Sequence, residues 1–538
     1  MKKIKICLHT VRLFFAVCLM LTGFCAPLYA DNTISMRLGA LVDFPVAMPQ
    51  FKTGIGGIVV LDWAFWSFAK NFSLGAGMSG EFTSIPVKIG DPFLFVEGKL
   101  GPFVTYRPFE RWDFFAGLYA GIYQLSRDNE RYVKALGSVS AGADFRLSPS
   151  VSVFAEGGYT FRIFSEGEPF SSVKTVLGLR LNYTELNSGA RLAVEKTTQY
   201  RVFPVSWAWY EKNPVAVIRI NNKEPNTITD VSLSLFLDSY MGRPYVFAQL
   251  PRLDSGASAE VPVTALFNEV MLSLIENVNA NGVIQVEYRS LGLRKETVFP
   301  LRMPIYHRNT MSWDDDRRAA AFVSPHDSAA RLFARYVASA VNIYMESASA
   351  RLSSVPKNVR YAAALFEALR LYGISYVVVP SMSFVNLHAN ESSLDNLTYP
   401  YETLYYRGGD CTYISILYCS LLEALDIETA FITVPGHLFM AFDTGDNNWI
   451  AGNANIIELD GRRWLPVEIT VPEEGFMRAW RIGAREWRNT GAGAALYPIR
   501  ECWKTYPSVT VSASVDYPPE MPAGTDIVNA MAAELLGD

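Results

Sequence analysis

Between residues 33 and about 185, apolar and polar residues alternate one by one, in about eight segments of about ten residues each. One segment places Val151, Val153, Ala155, Tyr159 and Phe161 on one side and Ser152, Glu156, Thr160 and Arg162 on the other. Such alternation is typical of a β-strand whose two faces lie in different surroundings. About ten residues cross a bilayer as a tilted strand. The pattern predicts an antiparallel, eight-stranded transmembrane β-barrel over residues 31–187.

The connections between these segments differ in length. Those near residues 69–71, 109–111 and 148–150 are short, whereas those at 45–53, 83–92, 126–132 and 165–171 are longer and more polar. Outer-membrane barrels have short periplasmic turns and longer external loops. We therefore expect both ends of the barrel segment, and the domains that follow it, to lie in the periplasm.

Charged residues of both signs occupy the polar side of the segments: Arg37, Asp43, Glu97, Lys99, Asp144, Glu156, Arg162 and Arg180. An eight-stranded barrel has an interior filled by side chains, so these charges should pair in the lumen and the barrel should be an anchor, not a pore. The segment resembles the small outer-membrane barrels of the outer-membrane protein A type, in architecture and without a specific motif. The alternative is a soluble, lipocalin-like barrel whose apolar side is its core.

The first 30 residues are typical of a secretory signal peptide. Basic residues at Lys2, Lys3 and Lys5 precede an apolar run at 13–24, and Ala30 is a suitable small residue for cleavage. Cys25 offers a lipoprotein alternative, although Phe24 precedes it. An exported chain with a membrane barrel is expected in the outer membrane, in contact with its lipid.

Charge and cysteine content exclude two classes of protein. Among 538 residues, 48 are basic and 53 are acidic, so no positive excess is available for a nucleic acid. Beyond the signal peptide only Cys411, Cys419 and Cys502 remain. An odd number leaves at least one cysteine unpaired within the chain, and three are too few for a disulfide scaffold.

The region at 197–306 keeps a β pattern in about seven short strands separated by Asn-rich and Pro-rich turns. That pattern predicts an immunoglobulin-like β-sandwich. It contains no cysteine and no cluster of titratable groups. We expect a spacer or assembly module, with a ligand-binding module as the alternative.

The region at 315–505 changes to an α+β pattern and carries the candidate chemistry. Gly408 and Gly409 allow a tight turn, and Asp410 is a good N-cap, so Cys411 should open a helix. There the macrodipole favours a thiolate. His437 opens a later strand and Glu468 lies on a third one. Cysteine, histidine and carboxylate are the nucleophile, base and orienting acid of covalent catalysis.

These motifs resemble the transglutaminase-like superfamily of papain-like cysteine enzymes. The matching stretches are Gly409-Asp410-Cys411, Pro435-Gly436-His437 and the strand from Trp464 to Thr470. The resemblance implies a catalytic triad of Cys411, His437 and Glu468, in which Glu468 replaces the usual Asp. Asp443 is the alternative third member, at the end of the strand that His437 opens.

The resemblance is incomplete around the nucleophile. Thr412 and Tyr413 follow the cysteine where family members often carry an acidic residue, and only Asn396 or Thr398 stands where many have a glutamine. The backbone N–H of Cys411 or Thr412 is then the expected oxyanion donor.

These observations lead to two functional hypotheses. The first is an outer-membrane-anchored cysteine enzyme acting on amide or peptide bonds of envelope proteins or peptidoglycan peptides, as a peptidase, deamidase or transglutaminase. The second is a non-catalytic envelope scaffold that binds peptide or peptidoglycan. No cofactor or metal is expected, since His307, His326 and His388 lack ligand spacing. Residues 506–538 are expected to form a tail with a terminal helix.

Overall fold

The computed structural model describes residues 33–46, 48–69, 71–127, 130–163, 169–186, 189–348, 350–377, 393–445, 455–511 and 520–537. The signal peptide expected at residues 1–30 lies outside this range. So do most of the expected loop at 165–171 and His388. Within the described residues, no helix has the length and apolar character that crossing a bilayer requires.

The N-terminal region is a closed antiparallel barrel of eight strands, as the alternation predicted. Its strands are β1 (Thr33–Pro45), β2 (Gly54–Ala69), β3 (Phe72–Ile85), β4 (Phe93–Phe109), β5 (Trp112–Arg127), β6 (Glu130–Arg146), β7 (Val151–Ile163) and β8 (Pro169–Asn182). Each strand pairs with the next, and β1 closes the ring against β8. At 13 to 17 residues the strands are longer than the expected ten. Because β5 and β6 pair as far as Arg127 and Glu130, the loop expected at 126–132 is mostly strand.

The lumen is filled by ion pairs, as expected of an anchor. The Arg162 guanidinium is fully buried and binds Glu97 at 2.5 Å and Asp43 at 3.0 Å. Arg37 pairs with Asp62 at 2.7 Å. Outward positions are apolar, and Leu118 is 64% exposed. The apolar side of the strands therefore faces outward, and the lipocalin-like alternative is wrong on this point.

An aromatic belt surrounds the end of the barrel that carries the short turns. Its exposed members include Trp66, Phe68, Phe72, Tyr106, Phe109 and Trp112. The rings of Phe72 and Tyr106 stack with centroids 4.5 Å apart. Aromatic side chains concentrate where a membrane meets water.

A short connection leads from the barrel to a two-sheet domain. Helix α1 (Tyr183–Leu186) follows β8, and β9 begins at Leu192 rather than at the expected residue 197. The seven strands are β9 (Leu192–Gln199), β10 (Ala216–Asn222), β11 (Ile228–Phe236), β12 (Tyr245–Leu253), β13 (Ser258–Val263), β14 (Val278–Ser290) and β15 (Leu293–Ile305). They form antiparallel sheets in the orders β13-β10-β9 and β12-β11-β14-β15. Both sheets bury apolar residues in one core, such as Ile218 and Val286. Two 3-10 helices, Pro204–Glu211 and Glu269–Ser273, lie between strands.

The C-terminal domain combines helices with a five-stranded sheet ordered β22-β23-β21-β20-β24. Its helices are α2 (Ser328–Ala348), α3 (Lys357–Tyr372), α4 (Pro400–Tyr406), α5 (Cys411–Glu423), α6 (Phe476–Thr490), α7 (Ile499–Cys502) and α8 (Gly524–Leu536). Its strands are β16 (Thr310–Ser312), β17 (Ser375–Tyr376), β18 (Leu394–Asn396), β19 (Gly408–Gly409), β20 (Thr429–Val434), β21 (His437–Asp443), β22 (Ile457–Leu459), β23 (Arg462–Val467) and β24 (Ala495–Pro498). Its 3-10 helices are Asp316–Phe322, Ala350–Ser354, Pro472–Glu474 and Gly491–Gly493.

Helix α8 is not part of a separate tail. Ile527, Val528 and Met531 are buried in the core of the C-terminal domain, together with Phe333 of α2. The expectation of a tail over residues 506–538 is therefore wrong for this helix, which completes the domain core.

The two-sheet domain packs directly on the C-terminal domain. Phe203 and Leu272 are buried in the C-terminal core. Arg318 lies over the Trp209 ring at 5.0 Å and over the Tyr506 ring at 5.1 Å. The two domains thus share apolar contacts and a cation–π contact across their boundary.

Candidate active site

Cys411 is the first residue of α5, and its position depends on the residue before it. The Asp410 carboxylate caps the helix, accepting hydrogen bonds from the N–H groups of Thr412 at 2.9 Å and Tyr413 at 3.0 Å. The rest of α5 is buried and apolar, with Ile414 and Leu417 fully inaccessible. Cys411 itself is 6% exposed. The cap and the buried helix together fix the sulfur at the N-terminus of α5.

The two glycines before the cap have a packing role. Gly408 and Gly409 form β19, which pairs in parallel with Ser375 and Tyr376. A Cβ atom on Gly409 would lie 2.7 Å from the Tyr413 Cβ. Only glycine therefore lets the chain enter α5 this close to its first turn.

His437 is placed by a two-residue hairpin turn. Val434 and His437 pair across it, so Pro435 and Gly436 are the turn residues. Gly436 has φ of 78°, the left-handed value that the third position of a type II turn requires. The turn sets His437 at the start of β21, with its side chain 24% exposed.

Glu468 follows the last residue of β23 and is held from two sides. Its backbone N–H donates to the Ala479 carbonyl of α6 at 3.1 Å. Its Oε1 atom accepts hydrogen bonds from the N–H and the hydroxyl of Thr470. Its Oε2 atom lies 2.7 Å from His437 Nε2. At 2% exposure, the carboxylate is locked in one orientation beside the imidazole.

The three side chains form one chain of interactions with His437 in the middle. Burial opposes a charge on His437, but hydrogen bonds to Cys411 and Glu468 and their negative charges outweigh it and raise its pKa to about 10. For Glu468, burial favours the neutral acid, but the contacts with His437 and Thr470 outweigh it and lower its pKa. The raised pKa of His437 and the lowered pKa of Glu468 both favour a protonated imidazole beside an ionised carboxylate.

Asp443, the alternative third member, lies elsewhere. It ends β21, six residues beyond His437, and its Oδ1 atom accepts the Gly445 N–H at 2.9 Å. The structure brings Glu468, and not Asp443, to the imidazole.

The other two cysteines have buried, structural surroundings. Burial raises the pKa of the Cys419 thiol, which is fully inaccessible. Burial also raises the pKa of Cys502 to about 12. Neither thiol ionises near neutral pH, so both are natural controls for Cys411.

Two residues near Cys411, His437 and Glu468 escaped the sequence analysis. Glu486 of α6 places its Oε2 atom 3.9 Å from His437 Nε2, and burial together with the Glu468 charge raises its pKa. Burial and the charges of Cys411 and Asp410 raise the pKa of Tyr376. Gly483 has no side chain, which lets α6 approach β23. Glu486 lies about one helical turn after Gly483, and this spacing is the only sequence signal for it.

One expected oxyanion donor is wrong. The Thr412 N–H donates to Asp410, so it is not available to a substrate. Thr398 shares a hydrogen bond with Thr403 at 2.7 Å. The Cys411 N–H remains as a candidate, and the Tyr376 hydroxyl is a second one, since the charge of Cys411 contributes to its raised pKa.

A metal ion could bind at the same place. Ligand atoms of His437, Glu468 and Glu486 lie within 4.8 Å of one another. Imidazole and carboxylate ligands suit zinc. An ion there would engage the imidazole that contacts Cys411, so metal binding and thiol chemistry would exclude each other.

Comparisons with known proteins bear on the barrel alone. No protein-family model matches the chain, and no curated protein matches it in sequence. Neisserial surface protein A matches with TM-score 0.23 and 8% identity, over 29% of this chain and 98% of its own. Ail of Yersinia pestis matches with TM-score 0.21 and 14% identity, over 28% and 97%. The N-terminal barrel domain of Pseudomonas aeruginosa OprF matches with TM-score 0.19 and 11% identity, over 28% and 100%. These likenesses concern the β-barrel fold.

Proposed function

We propose that the chain is an outer-membrane-anchored cysteine enzyme with a transglutaminase-like C-terminal domain that acts on amide bonds. The observation that supports this most directly is the arrangement around His437. His437 Nε2 lies 2.7 Å from a carboxylate oxygen of Glu468, and Cys411 is near enough to the same ring to contribute to its raised pKa. Such a chain of nucleophile, base and orienting acid suits acyl transfer.

In the proposed mechanism, the Cys411 thiolate attacks the carbonyl carbon of the substrate. His437 Nε2 is held by Glu468, so Nδ1 is left to exchange protons at the sulfur and the leaving group. The imidazolium protonates the departing amine as the C–N bond breaks and a thioester forms. His437, now neutral, then deprotonates water, which gives hydrolysis, or an amine, which gives cross-linking.

The developing oxyanion needs donors beside the sulfur. The Cys411 N–H lies at the start of α5, where helical N–H groups have no partner within the helix. Tyr376 can supply a second donor, since its raised pKa keeps the hydroxyl protonated. We assign these two groups as the oxyanion site.

The barrel is proposed to anchor this enzyme in the outer membrane. Its outward positions are apolar, its aromatic belt lies at the end with short turns, and its lumen is closed by ion pairs. Because outer-membrane barrels have their short turns on the periplasmic side, we propose that the two-sheet domain and the C-terminal domain lie in the periplasm. We interpret the seven-stranded two-sheet domain as an immunoglobulin-like spacer. The proposed substrates are envelope proteins or peptidoglycan peptides.

The rival function is a scaffold that binds peptide without catalysis. The low exposure of Cys411, at 6%, and the loss of the Thr412 N–H as a donor favour it.

Thiol labelling separates the two functions. The full-length protein in detergent micelles is treated with iodoacetamide near pH 6, where an ordinary thiol of pKa about 8.5 scarcely reacts. We expect rapid labelling at Cys411 and none at Cys419 or Cys502, with loss of labelling in Cys411→Ala. Labelling of wild type no faster than that of Cys411→Ala would favour the scaffold.

Surface proteolysis tests the orientation. Protease added to intact cells should cut only in the long loops of the barrel, such as residues 45–53. Cleavage within residues 320–505 of intact cells would contradict the proposed periplasmic location. Permeabilised cells are the control, because there the C-terminal domain becomes accessible.

A further inference from the structure

Three side chains that can bind a metal ion come together near Cys411 from separate elements. His437 opens β21, Glu468 follows the end of β23 and Glu486 lies on α6. His437 Nε2 lies 2.7 Å from a carboxylate oxygen of Glu468 and 3.9 Å from one of Glu486. The three ligand atoms all lie within 4.8 Å of one another. Three protein ligands are enough to hold a zinc ion with one position open.

The spacing of these atoms suits zinc. Zinc binds histidine nitrogen and carboxylate oxygen at about 2.0–2.2 Å in a tetrahedral arrangement, which separates any two ligand atoms by about 3.4 Å. The two distances measured from His437 Nε2 lie on either side of that value, and each differs from it by less than about 1 Å. The imidazole nitrogen favours zinc over magnesium or calcium, which prefer oxygen ligands.

One oxygen of Glu486 gives an independent indication of a ligand. Its Oε2 atom is inaccessible to solvent and accepts no hydrogen bond within the part of the chain that the structure describes. A buried carboxylate oxygen without a donor is costly. Burial and the charge of Glu468 raise the pKa of Glu486, so the two carboxylates disfavour each other's charge. A divalent cation between them would bind the free oxygen and offset both charges.

The surrounding structure already orients the two carboxylates. Glu468 Oε1 accepts hydrogen bonds from the N–H and the hydroxyl of Thr470, while its Oε2 atom is directed at the imidazole. Gly483 lets α6 approach closely, since a Cβ atom there would lie 3.2 Å from the Glu468 nitrogen. Glu486 follows about one turn later on the same helix. Contacts of this kind hold metal ligands in place.

We propose that His437, Glu468 and Glu486 form a zinc site through which zinc reversibly inhibits Cys411. The ion binds the Nε2 lone pair, and the proton of that nitrogen leaves to solvent. The ring then keeps its proton on Nδ1 and can no longer take up a proton from the sulfur. The two carboxylates balance the charge of the ion, so the sulfur loses its cationic partner. This inference rests on the proposed function, because it concerns the regulation of the same site.

Zinc binding to full-length Cys411→Ala tests the site without the thiol. The untagged protein in detergent micelles competes for zinc chloride with the chromophoric chelator 4-(2-pyridylazo)resorcinol near pH 7. We expect Cys411→Ala to bind zinc, and an excess of magnesium chloride not to displace it. A zinc ion held mainly by the Cys411 sulfur would not bind to this variant.

Glu486→Gln on the Cys411→Ala background then locates the ion. Loss of this ligand should weaken zinc binding at least about tenfold, because even the loss of a group that only orients a ligand costs about 10-fold to 100-fold. The matched control is Glu501→Gln, which changes an exposed glutamate and should leave the zinc affinity unchanged.

Labelling of the Cys411 thiol with iodoacetamide near pH 7 tests the inhibition. Saturating zinc should slow it at least about tenfold, out of the roughly 30-fold that separates a fully ionised thiol from an ordinary one at this pH. An excess of EDTA should restore the rate. Rates with and without zinc are compared within each variant, and the same zinc concentration should slow labelling much less in Glu486→Gln than in Glu501→Gln.

The outcomes separate the site, the inhibition and the proposed function. No zinc binding by Cys411→Ala, or equal zinc affinities of Glu486→Gln and Glu501→Gln on that background, would overturn the site. Bound zinc that leaves the labelling rate of the wild type unchanged would overturn the inhibition. The proposed function fails separately, if Cys411 stays unlabelled near pH 6 in EDTA, and the binding assay with Cys411→Ala does not depend on that result.

Discussion

The barrel lumen and the cleft around Cys411 both bury ionisable side chains, but they use them differently. In the lumen, Arg162 and Lys174 are buried and each contacts more than one carboxylate. In the cleft, one imidazole lies between the Cys411 sulfur and the Glu468 carboxylate, with Glu486 farther away at 3.9 Å, and it keeps 24% of its side chain exposed.

This difference teaches which buried charges can perform chemistry. A buried charge that is paired with several opposite charges has no free valence for a substrate, so its role is to hold the strands together. A directional chain of nucleophile, base and acid with one accessible member can pass a proton to something outside. If the burial of charged side chains were the only criterion for a functional site, the barrel lumen would be chosen before the cleft around Cys411.

The largest expected effect is on barrel stability. Arg162→Met leaves Glu97 and Asp43 in the lumen without this partner, and breaking such a buried pair costs about 3–5 kcal/mol. Denaturant unfolding of the refolded protein, followed by the gel-mobility shift of the barrel, measures it. The labelling rate of Cys411 should not change.

Arg219→Met is the matched control for Arg162→Met, since Arg219 pairs with Glu260 at 2.6 Å on the surface, where both side chains are about half exposed. It should cost under about 1 kcal/mol. Equal costs for the two variants would mean that the lumen pairs do not hold the barrel together.

The next largest effect belongs to the cleft. His437→Gln removes the imidazolium beside Cys411, so the rate of iodoacetamide labelling near pH 6 should fall about 100-fold, toward that of an ordinary thiol. Barrel stability should stay the same. His326→Gln, at an exposed position, is the control. A labelling rate that survives His437→Gln would separate the histidine from the nucleophile.

Two N-cap aspartates are expected to respond to pH with opposite sign. Burial and the charge of Asp395 raise the pKa of Asp410 to about 6. The N–H donors and His437 act in the opposite direction but do not outweigh them. The contribution of Asp410 to stability is therefore present below its unfolded pKa of 3.8 and is lost as pH rises through about 6. Asp410→Asn keeps the cap and should stabilise the C-terminal domain by about 2 kcal/mol near pH 7.5 but not near pH 4.

Asp315 is the counterpart. Burial opposes its charge, but hydrogen bonds from Arg317 outweigh this and lower its pKa, so its contribution is present at neutral pH and is lost as pH falls. Asp315→Asn should therefore destabilise near pH 7.5. Urea unfolding monitored by tryptophan fluorescence measures both variants. The same sign for both would contradict the assignment.

The smallest expected effect tests Glu486. Burial and the charge of Glu468 raise the pKa of Glu486, and Glu486→Gln removes its charge while keeping the size of the side chain. The labelling rate of Cys411 near pH 6 should change by about threefold or less. Glu501→Gln, on the exposed surface, is the control. A loss as large as that of His437→Gln would make Glu486 the carboxylate that orients the ring.

The barrel could be predicted from the sequence because alternation of apolar and polar residues shows directly which side chains share a face of a strand. Its lumen residues, such as Arg37 and Arg162, followed from that rule. The strand lengths did not follow from it. Strands β5 and β6 pair as far as Arg127 and Glu130, beyond the bilayer, and such pairing depends on the partner strand and not on hydrophobicity.

The positions of Cys411 at a helix start and of His437 after a Pro-Gly turn could be predicted because short sequence motifs determine both. Glu486 could not, since α6 reaches β23 only by tertiary packing at Gly483. The Thr412 donor was wrong because the same Asp410 that starts the helix also takes that N–H. The docking of α8 depends on α2 and α3, which lie far away in the sequence.

The short connection between the barrel and the two-sheet domain limits how far the domains that follow can lie from the barrel. Ten residue steps separate Asn182 from Leu192, and α1 shortens them further. Even fully extended, such a span reaches at most about 35 Å. In the proposed orientation, the two-sheet domain stays close beneath the inner leaflet of the outer membrane, and the proposed enzyme meets its substrates in a layer parallel to the membrane. Inserting flexible residues at this connection would let the following domains lie farther from the membrane without changing the residues around Cys411.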